Sequence, residues 1–278
     1  MDLSRLSYTK GDSQTIPGQP AGRIARQNQP EDSKYELPEV HAAYQKPEGI
    51  LSSSLVFVIS GGEKREAAFL RELIMKQDLR SLRVVFMSQE EQGLQPYQMQ
   101  EKWREIQSSR EIKADAQSYH LEDMDQVFLL SDVDEYYDQL KGILNNVTEG
   151  FQVQWIVSNP CFEIWLYYCF LNNPETDLKC LKAEPVSTRS QKLKSLCNSL
   201  VKGGMNPVRA FQLMHAGIDN SKEHYRVDDE GIPVLYATQM HEMAQYLIDT
   251  MNRNDNEYEM FLKMKAEQRA IRHKERSI

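Results

Sequence analysis

The sequence predicts an α/β protein: a parallel sheet flanked by helices, followed by a helical lobe. Three observations lead there. Four short apolar runs rich in β-branched residues each end abruptly in Gly, Ser or acid. Each is followed by a stretch with helical spacing, the alternation expected of a parallel sheet covered by helices. Past Pro174 the strand signals stop and only helical patterns continue. A chain of 278 residues, 40% of them apolar, has the material for one large domain or a core with an attached lobe.

The first strand is "LVFVIS" (55–60), closed by Gly61-Gly62, and "EAAFLRELIMKQ" after it places Phe69, Leu70, Leu73 and Ile74 at helical spacing. "LRVVFMS" (82–88) is the second strand, and residues 97–108 form a helix around Trp103. "QVFLLS" is the third strand and "YYDQLKGIL" its helix; "FQVQWIVS" is the fourth and "PCFEIWLYYCFL" its helix. "QKLKSLCNSLV", "NPVRAFQLMHAGIDNSKEHY" (Pro207 in its first turn) and "YATQMHEMAQYLIDTMN" read as further helices. The expected divisions are an extended arm over 1–48, an α/β core over 49–174, a helical lobe over 175–254 and a charged helical tail over 255–278. The arm holds five of the eleven prolines and no apolar periodicity. The tail carries six Lys or Arg against two Glu over 263–277. Both are expected to serve docking more than folding.

Bulk features exclude several classes. The longest apolar stretch, near Ile164–Leu171, is too short to span a bilayer, and no hydrophobic segment follows Met1, so a cytoplasmic protein without a membrane role is expected. Cys161, Cys169, Cys180 and Cys197 lack CxxC spacing and read as reduced thiols. A net charge of −8 argues against a generally nucleic-acid-coated surface but is compatible with a local basic groove. There is no GxGxxG, P-loop, HExxH or nucleophile elbow.

Chemistry concentrates at three strand ends: "SGGEKRE", "SDVDE" and "SNPCFE". Ligands of an open parallel sheet bind beyond the carboxyl ends of its strands, so Glu63, Glu66, Asp132, Asp134 and Glu163 are expected at one cleft. Crowded carboxylates raise one another's pKa unless a cation intervenes, which points to Mg²⁺ or Mn²⁺. Asp132 and Asp134, two residues apart, would share a face if the strand continued. The plainer reading makes these acids helix caps, and gives Ser158 or Asn159 as the cap and Pro160 as the first turn of the next helix. Glu163 resists that reading, because an unpaired charge in an apolar helix is costly. Cys161 reads as a buried thiol before a nucleophile.

"VFVISGGEKREAAFL", "VFLLSDVDEYYD" and "IVSNPCFEIWL" together resemble the RloB family, related to AbiLii of abortive-infection loci. The third is the most specific, the family pattern being SNPxFExWL, and the match in order and spacing covers 54 to about 252. The resemblance implies a Toprim-like fold, a nuclease chemistry dependent on Mg²⁺ or Mn²⁺, and an ATPase encoded nearby as partner in anti-phage defence. It places Asp132 and Asp134 at the DxD, and Asn159, Pro160, Phe162, Glu163 and Trp165 on the third motif. The family's first motif resembles EGEKTE; its leading acid aligns with Gly61 here, while Gly62, Glu63, Lys64 and Glu66 match. The expectation is a nuclease of DNA or RNA, open to homo-oligomer formation, with Glu66, Asp132 and Asp134 as metal ligands and Glu63, Lys64 and Glu163 as catalytic groups. Arg65 and Asn159 would contact phosphate, and an acid restored at position 61 would tighten metal binding. The alternative is a catalytically degenerate subunit that only binds or regulates.

Overall fold

The computed structural model describes residues 43–44, 55–75, 82–89, 94–114, 117–122, 125–144 and 152–275. The expected arm therefore lies outside the described residues except for Ala43–Tyr44. Residues His41–Ile278 form one compact unit.

Its centre is a four-stranded parallel sheet. After β1 (Ala43–Tyr44) come β2 (Leu55–Ser60), α1 (Lys64–Phe69), α2 (Arg71–Met75), β3 (Arg83–Met87) and α3 (Pro96–Ser109). A hairpin of β4 (Glu111–Ala114) and β5 (Gln117–His120) precedes β6 (Gln126–Asp132), α4 (Tyr137–Leu144), β7 (Gln152–Ser158) and α5 (Glu163–Phe170). The sheet order is β3-β2-β6-β7, all parallel, with Val56 opposite Gln126 and Asp132 opposite Ser158. The chain first builds to one side of β2 and then crosses to the other. The point of reversal lies between β2 and β6, where their carboxyl ends part to leave a crevice.

The central strands β2 and β6 bury both faces, which is why each reads as a continuous apolar run. On one face Val56, Val58, Phe128, Leu130 and Ile156 pack with α1, α2, α5 and the later helices. On the other, Phe57, Ile59, Val85, Val127 and Leu129 pack with Met99, Trp103 and Ile106 of α3 and Ile112 and Tyr119 of the hairpin. Each such side chain contributes roughly 1.5–3 kcal/mol. The hairpin was not expected. Paired antiparallel with each other, β4 and β5 join β1 in a separate small sheet.

The helical region continues with α6 (Pro174–Asp177), a 3₁₀ turn (Lys179–Ala183), α7 (Val186–Ser199), α8 (Pro207–Gln212), α9 (Met214–His224) and α10 (Met240–Glu275). Leu193, Cys197, Phe211, Ile218, Met243 and Leu247 from these helices join the same cluster as Val58 and Leu130. The stretch expected as one helix over 206–225 is two, α8 and α9, meeting at Leu213; Asn206 caps the first through Val208 and Arg209 N–H. Pro207 occupies the first turn. No helix among the described residues is long and apolar enough to cross a membrane. All four cysteines are free, with Cys180 alone exposed.

α5 and α9 approach closely because Gly217 lacks a side chain: a Cβ there would lie 2.8 Å from both Cys169 Sγ and Trp165 Cη2. In an open helix Gly→Ala gains about 1 kcal/mol. Here overpacking reverses the sign, so Gly217→Ala should cost about 2 kcal/mol in urea denaturation. A neutral or stabilised variant would contradict the close approach.

Candidate functional site

A cleft of about 530 Å³ opens at the reversal between β2 and β6. The turn after β2 contributes Gly61, Gly62 and Glu63; α1 contributes Lys64, Arg65 and Glu66; β6 contributes Asp132. Glu163 enters from the start of α5, Tyr136 from the turn before α4, and Lys194 from α7.

The local geometry explains each placement. Pairing continues one residue past β2, with Gly61 N–H donating to Leu130 O at 2.9 Å. Gly62 N–H then turns back to Ser60 Oγ at 3.2 Å. A Cβ on Gly62 would stand 2.0 Å from Glu66 Oε1, so glycine is what leaves room for that carboxylate. Asp132 ends β6, and its Oδ1 accepts the Phe162 N–H at 2.8 Å. It thus satisfies a free donor at the start of α5. The cap expected of Ser158 or Asn159 is not made by either: Ser158 Oγ bonds Thr238 Oγ1 and Asn159 Nδ2 donates to Pro233 O. α5 begins at Glu163 instead, with Phe162 as the residue before its first turn.

The acids are tightly coupled. Burial, aided by Glu163, pushes the Glu66 carboxyl up to about 7, against a backbone hydrogen bond and the charges of Lys194 and Arg65. Burial, then the charges of Glu66 and Glu163, hold Asp132 well above the ordinary carboxylate range; Lys194 and the Phe162 N–H pull the other way. Glu163, its side chain 3% exposed, is paired with Arg65 Nε at 3.4 Å. Lys194 answers them all. Burial opposes its charge, but the facing Glu163, Cys161, Asp132 and Glu66 leave its ammonium pKa raised. Burial pushes the Cys161 thiol well up as well, so it is no nucleophile.

Because Glu66 is raised from an ordinary 4.5 to about 7, the native state keeps a proton that the unfolded chain has released. That stabilisation is complete below about 4.5 and lost as pH rises through about 7, amounting to the order of 3 kcal/mol. Stability should therefore fall across that window. Glu66→Gln should shrink the fall, measured by urea denaturation at stepped pH; an identical profile in the variant would assign the proton elsewhere.

Of the residues expected from sequence, Glu63, Lys64, Arg65, Glu66, Asp132 and Glu163 line the cleft, whereas Asp134 and Asn159 are not among its lining residues. The strand ends at Asp132, and Asp134 has φ +24°, so the two acids do not share an extended face. Asp134 Oδ1 is nonetheless buried without a hydrogen-bond partner among the described residues. The surroundings of position 61 are close-packed. A Cβ there would lie 3.0 Å from Leu94 O and 3.9 Å from Met99 Sδ, so an acid at 61 would start from the α3 side, in a tight space. Glu66, folded over Gly62, is the acid that stands beside Asp132. Lys194 and Tyr136 were not expected. The only signal for Lys194 was its position beside the buried Leu193 on an amphipathic helix.

Glu66 and Asp132 are oxygen donors of the kind a hard divalent cation takes, while Asp134 Oδ1, though unpartnered, lies outside the cleft's lining. Yet no group of three or more His, Cys, Asp or Glu among the described residues is placed to hold a metal. A cation here would keep several waters and need further oxygens, such as a substrate phosphate. Arg65 offers the matching donor, since its Nη1 is buried without a hydrogen-bond partner among the described residues.

The family model described as RloB-like protein matches residues 56–277. Neither the curated proteins nor the solved structures contain a match.

Proposed function

The chain belongs to the RloB-like family, which is associated with abortive-infection and defence loci, and on that premise we propose that its cleft hydrolyses phosphodiesters of DNA or RNA. The observation that carries this reading is the meeting of Glu66, Asp132 and Glu163 with Arg65 and Lys194 at the reversal of the sheet. Acids alone would repel a phosphate. Three cations within the same walls, Lys64, Arg65 and Lys194, the second with an orphaned donor, make the cleft suited to a phosphate that itself carries charge.

Arg65 and Lys194 hold the phosphate and neutralise charge that grows on its oxygens. Glu66, with a pKa of about 7, is poised to accept a proton near neutrality. The attacking water forms an O–P bond as the ester P–O bond breaks; its proton passes to Glu66, and the leaving oxygen takes one from solvent. Glu163 keeps Arg65 in place. Mg²⁺ or Mn²⁺ held by Asp132, its shell completed by waters and the substrate phosphate, would polarise the phosphate and acidify the water. In this reading an ATPase encoded nearby is the partner and the cytoplasm the setting.

A second reading is a degenerate subunit that binds without turnover. Gly61 at the expected acidic position and the absence of a preformed three-ligand group among the described residues favour it. Assaying the purified chain, with and without the neighbouring ATPase, on bis(p-nitrophenyl) phosphate and on DNA and RNA with Mg²⁺ or Mn²⁺ separates the two. Metal-dependent cleavage is expected. Oligonucleotide binding with no turnover under any of these conditions would establish the degenerate reading.

A further inference from the structure

A second groove of about 460 Å³ shares Glu63 as a wall with the cleft. It lies where the carboxyl end of β3 meets α3 and β4. Phe86, Met87 and Ser88 come from the end of β3, Lys102 from α3 and Lys113 from β4. Phe86 and Met87 are half-buried, and both lysines are exposed. Among the described residues, neither lysine is paired with a carboxylate.

We propose that this groove holds the single-stranded nucleic acid that flanks the phosphate in the cleft, which rests on the phosphodiesterase reading of that cleft. Two features occur together that single strands use together: cations for the backbone, and an aromatic and thioether surface for the face of a base. A duplex keeps its bases stacked inward and would leave the parts of Phe86 and Met87 not packed against the core uncovered. The volume falls within the roughly 300–1,000 Å³ of small-ligand sites, room for a nucleotide or two and not for a folded partner. On a chain of net charge −8, attraction for a polyanion has to be local, and a lysine on each of two elements supplies it. Glu63 at the junction separates the two compartments, so a strand would pass over it from one phosphate position to the next.

The test compares the full-length wild type with Lys102→Ala/Lys113→Ala, and with Lys179→Ala/Lys202→Ala as an equal charge loss at exposed sites elsewhere. Fluorescence anisotropy follows binding of single-stranded DNA and RNA about 12 nucleotides long, and of the matching duplex, at several salt concentrations. Hydrolysis of bis(p-nitrophenyl) phosphate, too small to reach the groove, reports the cleft. The groove variant should weaken single-strand binding about tenfold and reduce the salt slope by about 1.4, with diester turnover unchanged. The charge control should stay within about twofold of wild type. Wild-type binding by the groove variant, an equal loss in the control, or preference for the duplex would overturn the groove while diester turnover kept the cleft reading alive. Loss of binding in the groove variant of a chain that cleaves no diester would retain the groove and overturn the cleft.

Discussion

Asp132→Asn should lower phosphodiester cleavage at least ~100-fold while leaving the fold intact, the size expected for loss of a charge that acts in the transition state. The substitution separates two roles of one side chain. The amide oxygen it introduces can still accept the Phe162 N–H that Asp132 accepts at 2.8 Å, so the start of α5 stays capped. What disappears is a buried carboxyl whose charge is opposed by burial and by Glu66 and Glu163. Relief of that repulsion should raise the thermal midpoint at neutral pH by about 2–4 °C, equivalent to about 1 kcal/mol in a chain of this size. Rates on bis(p-nitrophenyl) phosphate and a thermal scan of the same preparation decide it. Full activity in the variant would leave Asp132 as a helix cap and remove it from the chemistry.

Arg65→Met should destabilise the protein by about 3 kcal/mol, the low end for stripping the partner from a buried ion. Glu163 is 3% exposed and bonded to Arg65 Nε at 3.4 Å, and Lys194 takes up part of its charge. Arg65 also donates to Asn198 Oδ1 at 3.3 Å, tying α1 to α7. Adding Glu163→Gln to Arg65→Met should recover most of the loss, because the orphaned charge is gone. Urea denaturation of the two single variants and the double gives the coupling directly. A double variant as unstable as the sum of the singles would mean the two side chains act independently.

The central sheet was legible because a strand buried on both faces leaves an unbroken apolar signature, as "LVFVIS" and "QVFLLS" do. The hairpin was not, because β4 and β5 bury only Ile112 and Tyr119 among polar neighbours over four residues each. In the site, Glu63–Glu66 and Asp132 could be placed because a strand's carboxyl end defines where they emerge. Asp134 could not, since its position depends on where the strand stops, and a left-handed φ breaks the two-residue periodicity. The third motif assigns Asn159 to phosphate, but its side chain is engaged by Pro233 O. Lys194 was invisible for a different reason. It is one lysine in a helix of several, and only the packing of Leu193 and Cys197 against the core turns it toward the acids.

That last placement bears on how such a chain can be inherited. The acids are encoded before residue 164, and the lysine facing them comes only in α7, beyond what reads as a domain boundary. A recombination event that exchanged the α/β half alone would deliver a negative cleft without a matched Lys194. The two halves are thus one genetic cassette, and chimaeras joined near Pro174 should pair acids and lysine from the same parent if they are to function.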